Sequence, residues 1–131
     1  MNFLYASDDN FSGVLAVSLH TLFSSGNGQD SSVYIIDGGI SEGHKAALTE
    51  IARRFSGEIH FIDAPSVPIA DGKEIEVGRY SMSMFSRIFA DTLLPQVDRV
   101  IYLDCDTLVL KDLKELWHTD MHGLPVGAVN D

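Results

Sequence analysis

Apolar residues along this chain fall into short blocks separated by polar and glycine-rich breaks, and the spacing inside each block predicts its element. Residues 2–6 form a short apolar run, read as a buried strand, that ends in Ser7-Asp8-Asp9-Asn10. Over residues 11–25, Leu15, Leu19, Leu22 and Phe23 recur at three- and four-residue spacing and make one stripe of a helix. Gly26-Asn27-Gly28-Gln29-Asp30 is a loop. Residues 32–37 carry Val33-Tyr34-Ile35-Ile36, a continuous run of β-formers suited to a strand covered on both faces. Gly38-Gly39 breaks it. Ser41 stands where an N-cap belongs, ahead of a helix that runs to about residue 56. That helix has Ala47, Leu48, Ile51, Ala52 and Phe55 as its inward stripe. Gly57 ends it, and Ile59-His60-Phe61-Ile62 is the next strand.

Residues 64–80 hold Pro65, Pro68, Gly72 and Gly78 among charged side chains and read as a long loop, a feature usually tied to function or mobility. Residues 83–94 read as a third helix, with Phe85, Ile88, Phe89 and Leu93 inward and Pro95 just beyond. Arg99-Val100-Ile101-Tyr102-Leu103 is a strand that stops at Asp104. Residues 112–117 suggest a helical turn, and residues 126–129 a last strand. Strands alternating with helices define an α/β fold class: a mostly parallel sheet flanked by helices, with right-handed crossovers. No repeat, low-complexity tract or linker divides residues 1–131, so one domain is expected.

Composition is ordinary for a globular chain of 131 residues, with 45% hydrophobic and 21% charged residues. A chain this long buries enough surface for one core without disulfides or metals. Charge is not ordinary. Nine Lys and Arg against 19 Asp and Glu leave a net charge of −10. That disfavours nucleic acid and anionic membranes, which need a basic footprint. It leaves phosphate ligands open, because a divalent cation inverts the local sign. The single cysteine, Cys105, excludes an intramolecular disulfide and fits a reducing cytoplasm. No apolar run reaches the length of a transmembrane helix, and the opening residues lack the basic start of a signal peptide.

In parallel sheets, ligands bind beyond the carboxyl ends of the strands. Two acidic clusters are expected there. Val100-Ile101-Tyr102-Leu103 delivers Asp104-Cys105-Asp106, two carboxylates spaced by two. With the backbone extended, both point the same way, and they repel unless a cation sits between them. Hard oxygen donors suit Mg²⁺ or Mn²⁺, which also take phosphate oxygens, so one reading is a metal–diphosphate clamp. The other is a pair of solvated turn aspartates. Asp8-Asp9-Asn10 offers groups for a base or for ribose hydroxyls, and one of them is free to cap the helix that follows. Arg87 lies among Phe85, Ile88 and Phe89 and must extend to solvent or meet an anion; a diphosphate and a structural carboxylate both serve.

Together these segments resemble glycosyltransferase family 8, the group containing lipopolysaccharide galactosyl- and glucosyltransferases. FLYASDDNFSGVLAVSLHTLF resembles the family's opening strand and helix, VYIIDGGISEGHKAAL its second strand and helix, and YSMSMFSRIFADTLLPQVDRVIYLDCDTLVLKDLKELW its signature. The resemblance implies a Rossmann-like, nucleotide-diphospho-sugar transferase (GT-A) fold. It implies Mn²⁺ (or Mg²⁺) held by Asp104 and Asp106, uridine contacts at Ala6, Asp8 and Asn10, and Arg87 near the diphosphate and donor sugar. Arg79 and Tyr80 fall beside the donor pocket. The implied reaction moves a hexose from a UDP-sugar to a saccharide acceptor with retention of configuration. Family members run well beyond this length. The expectation is therefore the donor-binding half alone, residues 1–131, without the acceptor part or a third, histidine metal ligand; His20, His44, His60, His118 and His122 match no such motif. A family core cut in half exposes apolar surface, so a homo-oligomer is expected.

Three other readings compete. A haloacid-dehalogenase-like phosphohydrolase also places an aspartate pair after a strand. It has threonine or valine four residues after the first aspartate, where this chain has Leu108, and its motif lies near the N-terminus. A phospho-receiver domain accounts for Asp8-Asp9 and makes Asp63, at the end of the third strand, the phosphoacceptor, yet the last strand region has no lysine. A non-catalytic UDP-binding module is the third.

Overall fold

The computed structural model describes residues 1–63 and 87–128. Strand β1 (Asn2–Ser7) leads through a 3₁₀ turn (Asp9–Phe11) into α1 (Ser12–Leu22), which ends in a widened π-type turn over Phe23–Asn27. Then come β2 (Ser32–Asp37), α2 (Glu42–Arg54) and β3 (Glu58–Asp63). A 3₁₀ turn (Arg87–Phe89) precedes α3 (Ala90–Leu93), followed by β4 (Ile101–Tyr102) and α4 (Lys114–Trp117). The four strands form one sheet in the order β3-β2-β1-β4, and each neighbouring pair is parallel. No described helix is long and apolar enough to cross a membrane.

Central β1 is covered on both faces, as its unbroken apolar run requires. Phe3 and Tyr5 join Leu15, Leu19 and Leu22 of α1, Val33 and Ile35 of β2, and Leu48 and Ala52 of α2. Leu4 points to the other face, where it meets Ile36 and Leu94. The alternation follows from the two-residue period of a strand. The expected stripe of α1 is therefore the buried one. On α2 only part of the stripe is: Leu48 and Ala52 are buried, Ile51 and Phe55 pack against them, and Ala47 is exposed.

The chain after β4 is stitched to the end of α1. Buried Asn27 donates from Nδ2 to the carbonyls of Leu22 and Lys111, both at 3.2 Å, and accepts the Leu113 N–H at 2.8 Å. Ser25 Oγ donates to the Val109 carbonyl at 2.6 Å. An amide this deep satisfies backbone groups that would otherwise be orphaned.

Several expectations change. Ile88 is 70% exposed, and Leu94 takes the buried position instead. Residues 87–89 turn with a 3₁₀ period of about 3.0 residues, which rotates a stripe drawn at 3.6. Phe85 and the start of that helix, the long loop at 64–80, and Arg79 and Tyr80 lie outside the described residues. Residues 126–128 form no strand, and Val126 is 75% exposed because no described strand pairs with it. Helix α2 ends at Arg54, ahead of Gly57, and Ser56 holds a left-handed conformation there, at φ 56°. Gly57 is needed for packing, since a Cβ there would stand 2.5 Å from the Phe23 ring.

Candidate functional site

Strand order sets the location. Helix-bearing connections carry the chain from β1 outward to β2 and β3, while β4 pairs on the opposite side of β1. The register Phe3↔Ile101, Leu4↔Tyr102 brings the carboxyl ends of β1 and β4 side by side. This is the reversal point at which parallel α/β sheets open a crevice for ligands. The cluster after β1 and the cluster after β4 meet across it: the Cys105 thiol donates to the Ala6 carbonyl at 3.2 Å. Burial first, then the neighbouring Asp104 and Asp106 carboxylates, push the thiol above its ordinary pKa, so it stays a donor.

Asp8 caps the turn that follows it. Its Oδ1 accepts the N–H groups of Asn10 (3.0 Å) and Phe11 (3.2 Å), while its carbonyl accepts from Ser12 Oγ at 3.1 Å. Asp9 faces another element. Its Oδ1 accepts the Ser41 N–H at 2.8 Å and lies 2.7 Å from His44 Nδ1, on the first turn of α2. These two bonds, the Ser41 N–H foremost, hold the Asp9 carboxyl down at about 2. Ser41 is the N-cap residue, as its position suggested, but its side chain makes no cap bond. Asn10 is exposed.

On the other arm the backbone does not stay extended. Pairing stops at Tyr102, Leu103 donates its N–H to the Leu4 carbonyl at 3.0 Å, and a turn closes from Asp104 to Thr107. The Asp104 carbonyl accepts the Thr107 N–H at 3.1 Å and Thr107 Oγ1 at 2.7 Å. Strand alternation therefore does not align Asp104 with Asp106. The turn puts the intervening Cys105 inside and leaves both carboxylates exposed. Thr107 also approaches Ser18 (3.3 Å), which bonds the Tyr5 hydroxyl (3.1 Å), so the turn is tied to α1 and β1.

Arg87 meets a carboxylate, and the carboxylate is Asp104. Nη1 lies 3.4 Å from Asp104 Oδ1, and the guanidinium sits 5.3 Å from the Tyr102 ring centre. The Tyr102 hydroxyl donates to the same Oδ1 at 3.0 Å. Burial, reinforced by the Asp104 charge, pushes that hydroxyl up to about 12, so it remains protonated. Tyr102 and His44 were not singled out by sequence. The first carries a readable signal, since it stands two residues before Asp104, the spacing that an extended chain would put on one face. The second carries none until α2 is docked beside β1.

Between α1 and the Asp104 turn lies an open depression of about 380 Å³ whose lining includes Val14, Val17, Asp106 and Leu108. Among the described residues, no group of three or more His, Cys, Asp or Glu side chains converges as a metal cage. His118 and His122 are exposed. Asp63 ends the edge strand β3, two strands from β1, so it cannot join Asp8-Asp9 as a phosphoacceptor. A receiver domain instead seats its third strand beside the first.

Fold and site thus define a parallel α/β domain whose β1/β4 reversal brings the clusters Asp8–Asn10 and Asp104–Asp106 to the same end of the sheet. Residues 2–131 match glycosyl transferase family 8, and the chain belongs to that family. It is 31% identical to General stress protein A of Bacillus subtilis over 136 residues, covering 100% of this chain and 46% of that protein. It is 24% identical to a putative glycosyltransferase of Haemophilus influenzae, covering 100% of this chain and 39% of that one. Among solved structures, galactosyltransferase LgtC in complex with donor and acceptor sugar analogs superposes with a TM-score of 0.78 at 31% identity, over 92% of this chain and 43% of that one. The fold is therefore GT-A-like. The chain spans less than half the length of these relatives.

Proposed function

We propose that these residues form the donor-binding part of a metal-dependent glycosyltransferase that acts in the cytoplasm. In this reading the enzyme transfers a hexose from a UDP-sugar, with retention, to a saccharide acceptor such as a lipopolysaccharide. What supports it is the parallel adjacency of β1 and β4, which puts the segment after β1, with Ala6, Asp8 and Asn10, beside the segment after β4, with Asp104 and Asp106, the former of which pairs with Arg87. The first group would hold the uridine. Arg87 would turn from Asp104 to the diphosphate.

Asp104 and Asp106 fit a Mn²⁺ or Mg²⁺ site in donor chemistry: two exposed carboxylates supply hard oxygens and leave positions for phosphate oxygens. A bound cation supplies Lewis-acid stabilisation of the leaving diphosphate. The chain's own residues do the positioning. Asp8 holds the shape of the uridine-side turn, Cys105 ties that turn's strand to the Asp104 arm, and Tyr102 orients the Asp104 carboxylate by donating to it. Because the chain spans less than half of its relatives, the reading assigns donor binding to residues 1–131 and transfer to a longer protein.

Calorimetry of UDP in Mn²⁺ and in EDTA tests the reading. Binding only in Mn²⁺ supports it; equal affinity in both, or none in either, sinks it. The apolar side chains exposed around the depression, Val14, Val17 and Leu108, favour self-association at micromolar concentration, which sedimentation reads.

A further inference from the structure

We propose that Asp9 is a positioning residue, which locates the uridine-side turn of this site by anchoring it to the first turn of α2. The inference rests on the donor-site reading above and adds a residue to it. Asp8 and Asp9 are adjacent in sequence and do different work. Asp8 bonds to near neighbours in the chain: Oδ1 takes the N–H groups of Asn10 and Phe11, and its carbonyl accepts from Ser7 Oγ and Ser12 Oγ, so it fixes the local shape of the turn between β1 and α1. Those bonds span only residues 7–12. Asp9 ties the turn to a distant element. One carboxylate oxygen, Oδ1, takes both the Ser41 N–H at 2.8 Å and His44 Nδ1 at 2.7 Å. The two partners come from the backbone and from a side chain of the same helical turn, so together they fix direction as well as distance.

The anchor itself is rigid. Helix α2 is seated in the core by Leu48 and Ala52, and Lys45 holds it to the end of β2 through a 2.7 Å ion pair with Asp37. The Asp37 carboxylate also accepts the N–H groups of Gly39 and Ile40, which sets the β2–α2 connection. A carboxylate at a helix N-terminus is favoured by the exposed N–H groups and the helix dipole. The Ser41 side chain makes no cap bond, and it is the Ser41 N–H, at the head of the helix, that Asp9 takes up from another segment. Rigidity passes from core to α2, from α2 to Asp9, and from Asp9 to the flanking Asp8 and Asn10. A ligand group held to within a fraction of an ångström binds more tightly than one on a loose loop.

The test compares wild type with Asp9→Ala, Asp9→Asn and His44→Ala. UDP affinity is measured in saturating Mn²⁺, and amide exchange is followed at Ser41 and at the core residue Leu48. Asp9→Ala is expected to weaken UDP about fivefold, within the usual range for a coupled contact outside the ligand. Exchange should rise at Ser41 and stay native at Leu48. Asp9→Asn keeps an acceptor oxygen for the Ser41 N–H and should recover part of the loss. His44→Ala should weaken UDP about twofold, and it carries the comparison if Asp9→Ala does not fold. Native UDP affinity in the Asp9 and His44 variants overturns the positioning role while leaving the donor site standing. Loss of affinity matched by faster exchange at Leu48 overturns it as well, since the effect is then global. A wild type that binds no UDP overturns both.

Discussion

Arg87 and Asp104 pair with each other, Nη1 to Oδ1 at 3.4 Å, above the ring of Tyr102. The arginine assigned to the diphosphate and an aspartate assigned to the cation therefore neutralise one another across 17 residues of chain. Both side chains are about half exposed, so water screens the attraction and the pair is worth at most about 1 kcal/mol. In the proposed donor complex a divalent cation at Asp104 would displace a monovalent partner held that weakly, and the freed guanidinium would then face the negative charge a nucleotide brings.

Arg87→Ala should accordingly separate stability from binding. The melting temperature should fall little, because a screened surface pair contributes under about 1 kcal/mol. UDP affinity in Mn²⁺ should fall about tenfold, the loss typical of one charge-assisted hydrogen bond. A variant that melts early and binds normally would make Arg87 a structural residue.

Packing at Gly57 gives a prediction independent of function. A Cβ there would stand 2.5 Å from the Phe23 ring, and Phe23 is 3% exposed and cannot swing away. Gly57→Ala should cost about 1–3 kcal/mol by overpacking. Gly43, on the exposed side of α2, has open space among the described residues where a Cβ would stand, so Gly43→Ala should gain about 0.5 kcal/mol from helix propensity. Chemical denaturation of both variants checks the contrast in sign.

Much of the scaffold was legible in sequence. Residues 32–37 form β2 with the bounds their β-branched run suggested, and the stripe of α1 is the buried one, because covered elements leave a strong period. The placing of two acidic clusters at strand ends followed from the same runs. Their connections did not. The turn at Cys105 depends on a bond to the Ala6 carbonyl 99 residues away, and the Asp9 link to α2 spans 32 to 35 residues. Such contacts depend on which strands become neighbours, and local spacing does not encode strand order. The exposure of Ile88 came from a change of helical period at residues 87–89, which a uniform 3.6-residue template misses.

Acid should unfold the domain between about pH 4 and pH 2. Ser41 and His44 hold the Asp9 carboxyl at about 2, and Arg53 and Arg54 hold Glu50 at about 2. At Asp37 burial acts upward, but the Lys45 ammonium and the Ile40 and Gly39 N–H groups outweigh it, and the net shift is down. Each folded-state value is depressed. These groups therefore stabilise the fold above the unfolded carboxylate pKa, and that stability is lost as pH falls through the folded values. Asp9 and Glu50 are solvent-screened, so the better-enclosed Asp37 should dominate. Melting temperatures should stay level above about pH 5 and drop below about pH 4, and Asp37→Asn should flatten the drop. A wild-type curve level down to pH 2 would contradict this.

Asp106→Asn isolates the cation. Asp106 is exposed at the turn, and among the described residues no hydrogen bond or ion pair engages its carboxylate. Among the described residues, its charge therefore makes no contact that a neutral amide of the same shape would lose. Stability should change by less than about 0.5 kcal/mol, and a small gain is expected because Asp104 loses a like-charged neighbour. Binding should behave differently. Two carboxylates supply the protein's anionic charge to the proposed cation, and removing one halves it. The cation is also what makes a diphosphate acceptable to a chain of net charge −10. UDP affinity in Mn²⁺ should fall by about tenfold or more and approach that measured in EDTA. Paired melting curves with and without UDP–Mn²⁺ read both quantities at once. If the ligand-induced rise of the wild type persists unchanged in Asp106→Asn, Asp106 holds no cation, and Asp104 must bind it with partners other than the second aspartate of the motif.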